Sequence, residues 1–218
     1  MNKIKTSLSL IALLLVCVQI NFGQNGNQPT MLIPGTSAGD LKIGMNKKEV
    51  NKLLHASYNT RSFAEECSAY LTNGYYLDSM VQCRLGFDEV WDFNGTPSNL
   101  PVFKLFFKKN ELCYAILSSY GFQGDISKFE LQGGIHYNDT VPKILKAIGE
   151  PETKGRFKAM DNEGIQSNDI FYEYWSKGLE LYIDDERLTV IYLFKPTTNL
   201  FTAPVSKQLL KIEKKLKK

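Results

Sequence analysis

Aliphatic or aromatic residues occupy every second position in two stretches of this chain, as Phe103, Leu105 and Phe107 and as Leu179, Leu181 and Ile183. Each stretch leads through a short polar segment, Lys108 to Asn110 or Asp184 to Glu186, into a second run rich in apolar, β-branched and aromatic residues. Alternation with a period of two places successive side chains on opposite faces of a strand. The pattern therefore predicts two β-hairpins, at residues 103–117 and 179–193.

A period near 3.6 residues marks two other segments, residues 41–54 and residues 135–148, whose apolar positions coincide when the second is aligned with the first. Asn46 and Thr140 fall where a helix N-cap is expected, because a short polar side chain there can bond the free amides of the first turn. Glu49 follows Asn46 by three residues and completes the sequence of a capping box. The pattern predicts one short helix in each segment.

Turn residues precede and follow these helices. Gly44 and Asn138 stand two residues before the predicted N-caps and suit a turn with positive φ. Gly149 and Pro151 follow the second helix and predict its end.

The same order of elements occurs twice along the chain. A Glu-x-Trp motif precedes each hairpin, at Glu89 and Trp91 and again at Glu173 and Trp175. Internal repetition of helix, strand and hairpin predicts an α+β fold built from two tandem repeats, each a helix with an antiparallel sheet of three to four strands. The predicted segments are a linker at 24–37, a first repeat with insertions at 38–122, a second repeat at 131–195 and a basic amphipathic helix at 205–218.

Residues 1–23 have the layout of a secretory signal peptide, with Lys3 and Lys5 before an apolar run from Leu10 to Val18. The run is too short to span a bilayer. Cys17 leaves a second interpretation, a lipoprotein anchored through an acylated cysteine, although Val16 is not the small residue that usually precedes one. We predict an exported protein, periplasmic or secreted, with a lipid anchor in the outer membrane as the lesser alternative.

Charge is nearly balanced over the exported part of the chain. Without Lys3 and Lys5, 24 basic and 23 acidic residues remain, so no overall field attracts nucleic acid. Six lysines and one glutamate are concentrated in residues 205–218. This segment places apolar residues on one helical stripe, which predicts either a helix packed on its own domain, the favoured interpretation, or a weak membrane contact.

Three cysteines follow the leader, Cys67, Cys83 and Cys113. An exported protein permits disulfides, but an odd number leaves one free thiol. The sequence does not select the pair, and we favour Cys67 with Cys83. No Cys-x-x-Cys motif is present, and three scattered cysteines with two histidines do not indicate a metal site. We predict no cofactor.

The hairpins offer a candidate binding surface. We take the row of Phe103, Leu105 and Phe107, with Leu179, Leu181 and Ile183, as the core face of the sheet. The opposite face mixes charge with aromatic rings, which are the side chains that most often dominate protein interfaces. The candidate binding residues on this open face are Trp91, Trp175, Phe106, Tyr182, Glu89, Glu173, Lys104 and Glu180.

The turn and helix start at Gly44-Met45-Asn46, and the matching start at Asp139-Thr140 with Gly149-x-Pro151, resemble those of small outer-membrane assembly lipoproteins of the BamE/SmpA type. The tandem arrangement is similar to that of β-lactamase inhibitory proteins. These resemblances imply an α+β binding module that contacts another envelope or secreted protein through its open sheet face.

Catalytic motifs are few. Gly35-Thr-Ser-Ala-Gly39 matches the Gly-x-Ser-x-Gly elbow of hydrolases around Ser37, but it lacks the preceding strand and following helix that the elbow requires. Glu89 and Glu173 form the alternative, a carboxylate pair of a carbohydrate-active protein. We therefore predict a non-enzymatic protein-binding module, with an envelope hydrolase or carbohydrate-active protein as the alternative.

Overall fold

A computed structural model of the chain describes residues 29–72, 80–93, 99–157, 169–197 and 207–216. The strands are β1 (Thr30–Ile33), β2 (Ser37–Ala38), β3 (Leu41–Lys42), β4 (Tyr58–Ser62), β5 (Glu89–Phe93), β6 (Val102–Lys108), β7 (Glu111–Ser118), β8 (Phe129–Leu131), β9 (Ile135–His136), β10 (Thr153–Phe157), β11 (Asp169–Tyr174), β12 (Leu179–Asp184) and β13 (Arg187–Phe194). The helices are α1 (Lys47–Leu54), α2 (Phe63–Thr72), α3 (Val81–Leu85), α4 (Val141–Ile148) and α5 (Lys207–Leu216). Short 3-10 turns lie at Ile126–Lys128 and Trp175–Lys177.

Two sheets contain the strands. The larger is antiparallel and has eight strands in the order β10-β11-β12-β13-β7-β6-β5-β4. The smaller has five strands in the order β3-β2-β1-β8-β9, and β1 runs parallel to β8.

The described part of the chain is mostly β, with 42% strand residues, so the predicted α+β fold of two tandem helix-plus-sheet repeats is wrong. The main reason is the pairing of β7 with β13, from Ser118 opposite Val190 to Tyr114 opposite Phe194. This pairing joins strands of both predicted repeats into one sheet. The segments before the two helices also form strands, which belong to the smaller sheet, and β1 and the first residue of β2 lie within the predicted linker.

The predicted helix starts are confirmed. Asn46 caps α1 through its side chain, and Glu49 reaches back to the Asn46 amide at 2.9 Å, which completes the capping box. Thr140 occupies the N-cap of α4, although its side chain makes no capping hydrogen bond. Gly44 and Asn138 have φ of 95° and 67°, as the turn interpretation requires.

Both predicted hairpins are confirmed, between β6 and β7 and between β12 and β13. Their two-residue turns have positive φ at both positions, which is the geometry that matches the twist of the flanking strands. These turn residues are Lys109, Asn110, Asp185 and Glu186.

The eight-stranded sheet is covered on both sides. On the side that we call the first face, Leu105, Phe107 and Leu181 pack with residues of α1, α4 and the smaller sheet. On the side that we call the second face, Phe106 and Tyr114 pack with residues of α2, α3 and α5. The helices therefore contact both faces of one sheet, and each face has its own apolar cluster.

Some sequence predictions fall outside the described residues. These are the signal peptide with Cys17, the beginning of the linker and the two ends of the basic segment 205–218. No helix in the described part of the chain has both the length and the apolar composition needed to cross a membrane.

Candidate functional site

Trp91 lies on the first face of the sheet. It stands opposite Leu105 on β6 and is 3% exposed, and its ring stacks on Tyr58 with centroids 4.0 Å apart. The indole Nε1–H donates to Glu89 at 2.6 Å, and Glu89 accepts a second bond from Lys47 Nζ at 2.7 Å. Trp91 and Glu89 therefore connect β5 to the first residue of α1.

The two Glu-x-Trp motifs occupy different structural positions. Leu105 and Leu181 are equivalent residues of the two hairpins, but Leu181 stands opposite Tyr172 rather than Trp175. Trp175 follows β11 and lies in a 3-10 turn. The match between the motifs is therefore out of register, and Glu173 lies on the second face whereas Glu89 lies on the first.

Lys104 and Phe106 lie on the second face beneath the helices. Phe106 is fully buried, and its ring lies 4.8 Å from that of Phe87. Lys104 Nζ donates to Glu66 at 2.6 Å, and Glu66 on α2 has no exposed surface. Lys104 therefore attaches α2 to the sheet and is not presented to solvent.

Arg61 and Asp92 extend this ion-pair network toward the edge of the sheet. Arg61 Nη1 lies 3.0 Å from Glu66 Oε2, without the alignment of a hydrogen bond, and Arg61 also pairs with Asp92. Asp92 lies 3.7 Å from Lys104. The two cations balance the two carboxylates, which satisfies the requirement that buried charges be paired.

The four remaining candidates come together at the other end of the second face. Glu173 and Glu180 stand directly opposite each other on β11 and β12, and Tyr182 follows Glu180 by two residues on the same side of the strand. Trp175 Nε1–H donates to Glu173 at 2.9 Å. The structure therefore groups Trp175, Glu173, Glu180 and Tyr182, but separates them from Trp91, Glu89, Lys104 and Phe106.

Two aromatic residues that we did not predict complete this group. Phe171 stands opposite Tyr182, with ring centroids 4.9 Å apart, and lies 6.4 Å from Tyr192. The three rings are half-buried. The sequence could have indicated Phe171, because it lies two residues before Glu173 and so on the same face of the strand. The position of Tyr192 depends on the pairing of β13 with β12, which the sequence does not show. We call Phe171, Glu173, Glu180, Tyr182 and Tyr192 the acidic aromatic patch.

Burial dominates the electrostatics of the patch. Burial raises the pKa of Glu180 to about 8, and the nearby Glu173 carboxylate adds to the rise. The Tyr114 hydroxyl donates a hydrogen bond to Glu180 at 3.3 Å, which partly opposes this rise in pKa. Burial also raises the pKa of Glu173, against the Trp175 hydrogen bond and the charge of Arg84. Glu180 is therefore mostly protonated at pH 7.

Carboxylates also lie at the border of the patch. Burial raises the pKa of Tyr182, and the neighbouring Asp169 and Asp184 carboxylates contribute to that rise. Asp184 in turn accepts a hydrogen bond from the Tyr120 hydroxyl. This end of the sheet therefore combines aromatic rings with acidic groups.

Ser37, the candidate nucleophile, is buried in a strand of the smaller sheet. Ser37 is 6% exposed in the two-residue strand β2 and stands opposite Lys42 on β3 and Ile33 on β1. It is followed by β3 rather than by a helix, unlike the serine of a hydrolase elbow. No group of three metal-ligating side chains is found among the described residues.

The predicted cysteine pair is close together. Cys67 on α2 and Cys83 on α3 have their Sγ atoms 3.7 Å apart, as free thiols. In the basic tail, Leu209 of α5 is fully buried and Ile212 packs on the second-face cluster. This packing agrees with the interpretation that α5 lies on its own domain, and the weak membrane contact of residues 205–218 stays a prediction.

Comparison of the chain with protein-family models, curated proteins and solved structures finds no match. The resemblance to BamE/SmpA-type lipoproteins and to β-lactamase inhibitory proteins therefore stays a prediction.

Proposed function

We propose that this protein is an exported, non-enzymatic binding module of the bacterial envelope or periplasm that holds another protein through the acidic aromatic patch. One observation carries the proposal: the Phe171 ring lies beside those of Tyr182 and Tyr192 on the second face, and the three rings are only half-buried. Aromatic rings of this kind supply large contact areas and dominate interface energetics.

The patch is built on rigid elements. β11 and β12 are interior strands of the eight-stranded sheet, and the pairing of Phe171 with Tyr182 fixes their relative position. Side chains that are already ordered lose little conformational freedom on binding, which favours affinity. The patch is therefore a preformed surface on which a partner can bind.

The charges of the patch indicate the partner's chemistry. Four acidic residues lie in or beside the patch: Glu173, Glu180, Asp169 and Asp184. Among the described residues, Arg84 supplies the positive charge that acts on Glu173. Glu173, Glu180 and Asp169 are buried and Glu180 is mostly protonated at pH 7, so the half-buried Asp184 carboxylate beside Tyr182 is the group that a lysine or arginine of the partner can pair with. The same cation can also lie on the faces of the aromatic rings. We infer that the partner is an envelope or secreted protein that presents a basic residue beside an apolar one.

The alternative, an envelope hydrolase or carbohydrate-active protein, gains no support from the geometry. Glu89 and Glu173 lie on opposite faces of the sheet, so they do not flank one substrate. Ser37 is buried within a strand.

Co-purification from the native envelope tests the proposal. The wild-type protein, Phe171→Ala and Phe103→Ala are used as baits, because Phe103 is 42% exposed on β6 and provides an aromatic control outside the patch. We expect a partner that the wild type and Phe103→Ala retain, that Phe171→Ala loses, and that elutes as salt screens its charges. Equal retention by all three baits would refute the patch as the binding surface.

A further inference from the structure

Two cysteines from different helices meet in the interior of the second-face cluster. Cys67 of α2 and Cys83 of α3 are both 0% exposed, and their Sγ atoms are 3.7 Å apart. Phe63 and Val81, on the same two helices, are buried in the same cluster. A disulfide joins its two sulfur atoms at about 2.0 Å, so the bond requires these Sγ atoms to approach each other by about 1.7 Å. Rotation of the two side chains can supply a movement of this size.

The third cysteine has a separate role in the sheet. Cys113 occupies a β-bulge and its Sγ donates to the carbonyl of Phe106 at 3.3 Å. Thr189 occupies the equivalent bulge of the other hairpin, where its hydroxyl donates to the carbonyl of Tyr182 at 3.3 Å. A hydroxyl performs the same task as the Cys113 thiol, so this position does not require a disulfide partner.

We propose that Cys67 and Cys83 form a disulfide that joins α2 to α3 and fixes these helices over the second face. The thiolate of one cysteine attacks a disulfide oxidant, and the second thiolate then displaces the reduced oxidant from the mixed disulfide. The two cysteines lose two protons and two electrons, and the oxidant is reduced to two thiols. This inference is independent of the proposed binding function.

The bond forms while the chain folds rather than afterwards. Disulfide exchange requires an accessible thiolate. Both sulfur atoms are buried, and the hydrogen bond between the Cys83 thiol and Cys67, together with burial, raises the pKa of Cys83. In the folded, reduced protein the two thiols are therefore protected from oxidants, whereas in the unfolded chain they are accessible to them.

Refolding of the full chain with a mixture of oxidised and reduced glutathione tests the proposal. Cys17→Ser is introduced throughout, and alkylation after denaturation counts the remaining thiols. We expect one alkyl group on the parent chain and none on the Cys113→Ser variant. Peptide mapping should then show Cys67 bonded to Cys83. Three alkyl groups on the parent chain, or a disulfide that contains Cys113, would overturn the proposal.

A second experiment tests the timing. The folded, reduced protein is exposed to oxidised glutathione without denaturant, and we expect disulfide formation at least ten-fold slower than during refolding. Equal rates would contradict formation during folding. The Cys113→Ser variant provides the matched control, because it keeps both bonding cysteines and replaces one bulge donor by another.

Discussion

Glu173 and Glu180 stand side by side on β11 and β12, and both are almost inaccessible to solvent. Adjacent buried carboxyl groups cannot both ionise without a large free-energy cost. The structure lowers this cost through the Tyr114 hydroxyl on Glu180 and the Trp175 indole on Glu173. The pair therefore links the stability of this end of the sheet to pH.

Glu180→Gln tests this linkage. Between about pH 5 and pH 8 the folded chain keeps a proton on Glu180 that the unfolded chain releases, since burial raises its pKa to about 8. The free energy of unfolding should therefore fall as the pH rises through this range and level off above it. Glu180→Gln should flatten the fall by a few kcal/mol, because each pKa unit corresponds to about 1.4 kcal/mol.

Urea denaturation at a series of pH values measures this effect. Glu186→Gln, on the exposed turn of the same hairpin, should keep the wild-type pH dependence. A parallel pH dependence of wild type and Glu180→Gln would show that the Glu180 proton is not retained on folding.

The ion pair between Lys104 and Glu66 provides a second test. Lys104→Met should destabilise the protein by about 3 to 5 kcal/mol, because it removes the closest cation from a fully buried carboxylate. Lys104→Met combined with Glu66→Leu should recover much of this loss, since no unpaired buried charge then remains. The two single variants and the double variant form a cycle in chemical denaturation, and strictly additive losses would refute the coupling.

The two helix caps give a matched comparison. Asn46→Ala should lower the free energy of unfolding by about 1 kcal/mol, because it removes the side-chain acceptor of the capping box. Thr140→Ala should have a smaller effect, because the Thr140 side chain makes no capping hydrogen bond. Thermal denaturation of both variants measures the difference, and a larger loss for Thr140→Ala would contradict the assignment.

Gly178 marks a close approach of three chain segments. Its carbonyl accepts from the amides of Gly35 at 3.2 Å and Phe194 at 3.0 Å, and a Cβ there would overlap the carbonyl oxygen of Phe194. Gly134 also has positive φ, 77° against 67° for Gly178, but a Cβ on it meets nothing within 4 Å. Gly178→Ala should therefore lower the melting temperature clearly more than Gly134→Ala, and equal effects would refute steric exclusion.

The sequence predicts the parts of this fold that depend on residues a few positions apart. The capping box of Asn46 and Glu49 and the polar turns of both hairpins are of this kind, because their partners are close in sequence. The pairing of β7 with β13 is not, since it joins positions more than 70 residues apart. A two-residue strand such as β2 also shows no period that a sequence pattern could reveal.

The faces of the sheet were harder to predict than its strands. A one-residue shift of register moves every side chain to the other face. A bulge between Val102 and Lys104 leaves Phe103 exposed, although alternation predicted it beside Leu105 in the core. The same sensitivity separates Trp91 from the candidates Glu173 and Tyr182. The partner of Glu66 was also inaccessible to sequence reasoning, because Lys104 follows it by 38 residues.

Photo-crosslinking in cells tests the central claim most directly. A benzophenone amino acid replaces Phe171 in the patch or, as the control, the exposed Phe103. We predict a crosslinked protein partner from position 171 that is absent from position 103 and that is lost when Tyr182→Ala is added. No crosslink at position 171, or the same crosslinks at both positions, would contradict binding through the acidic aromatic patch.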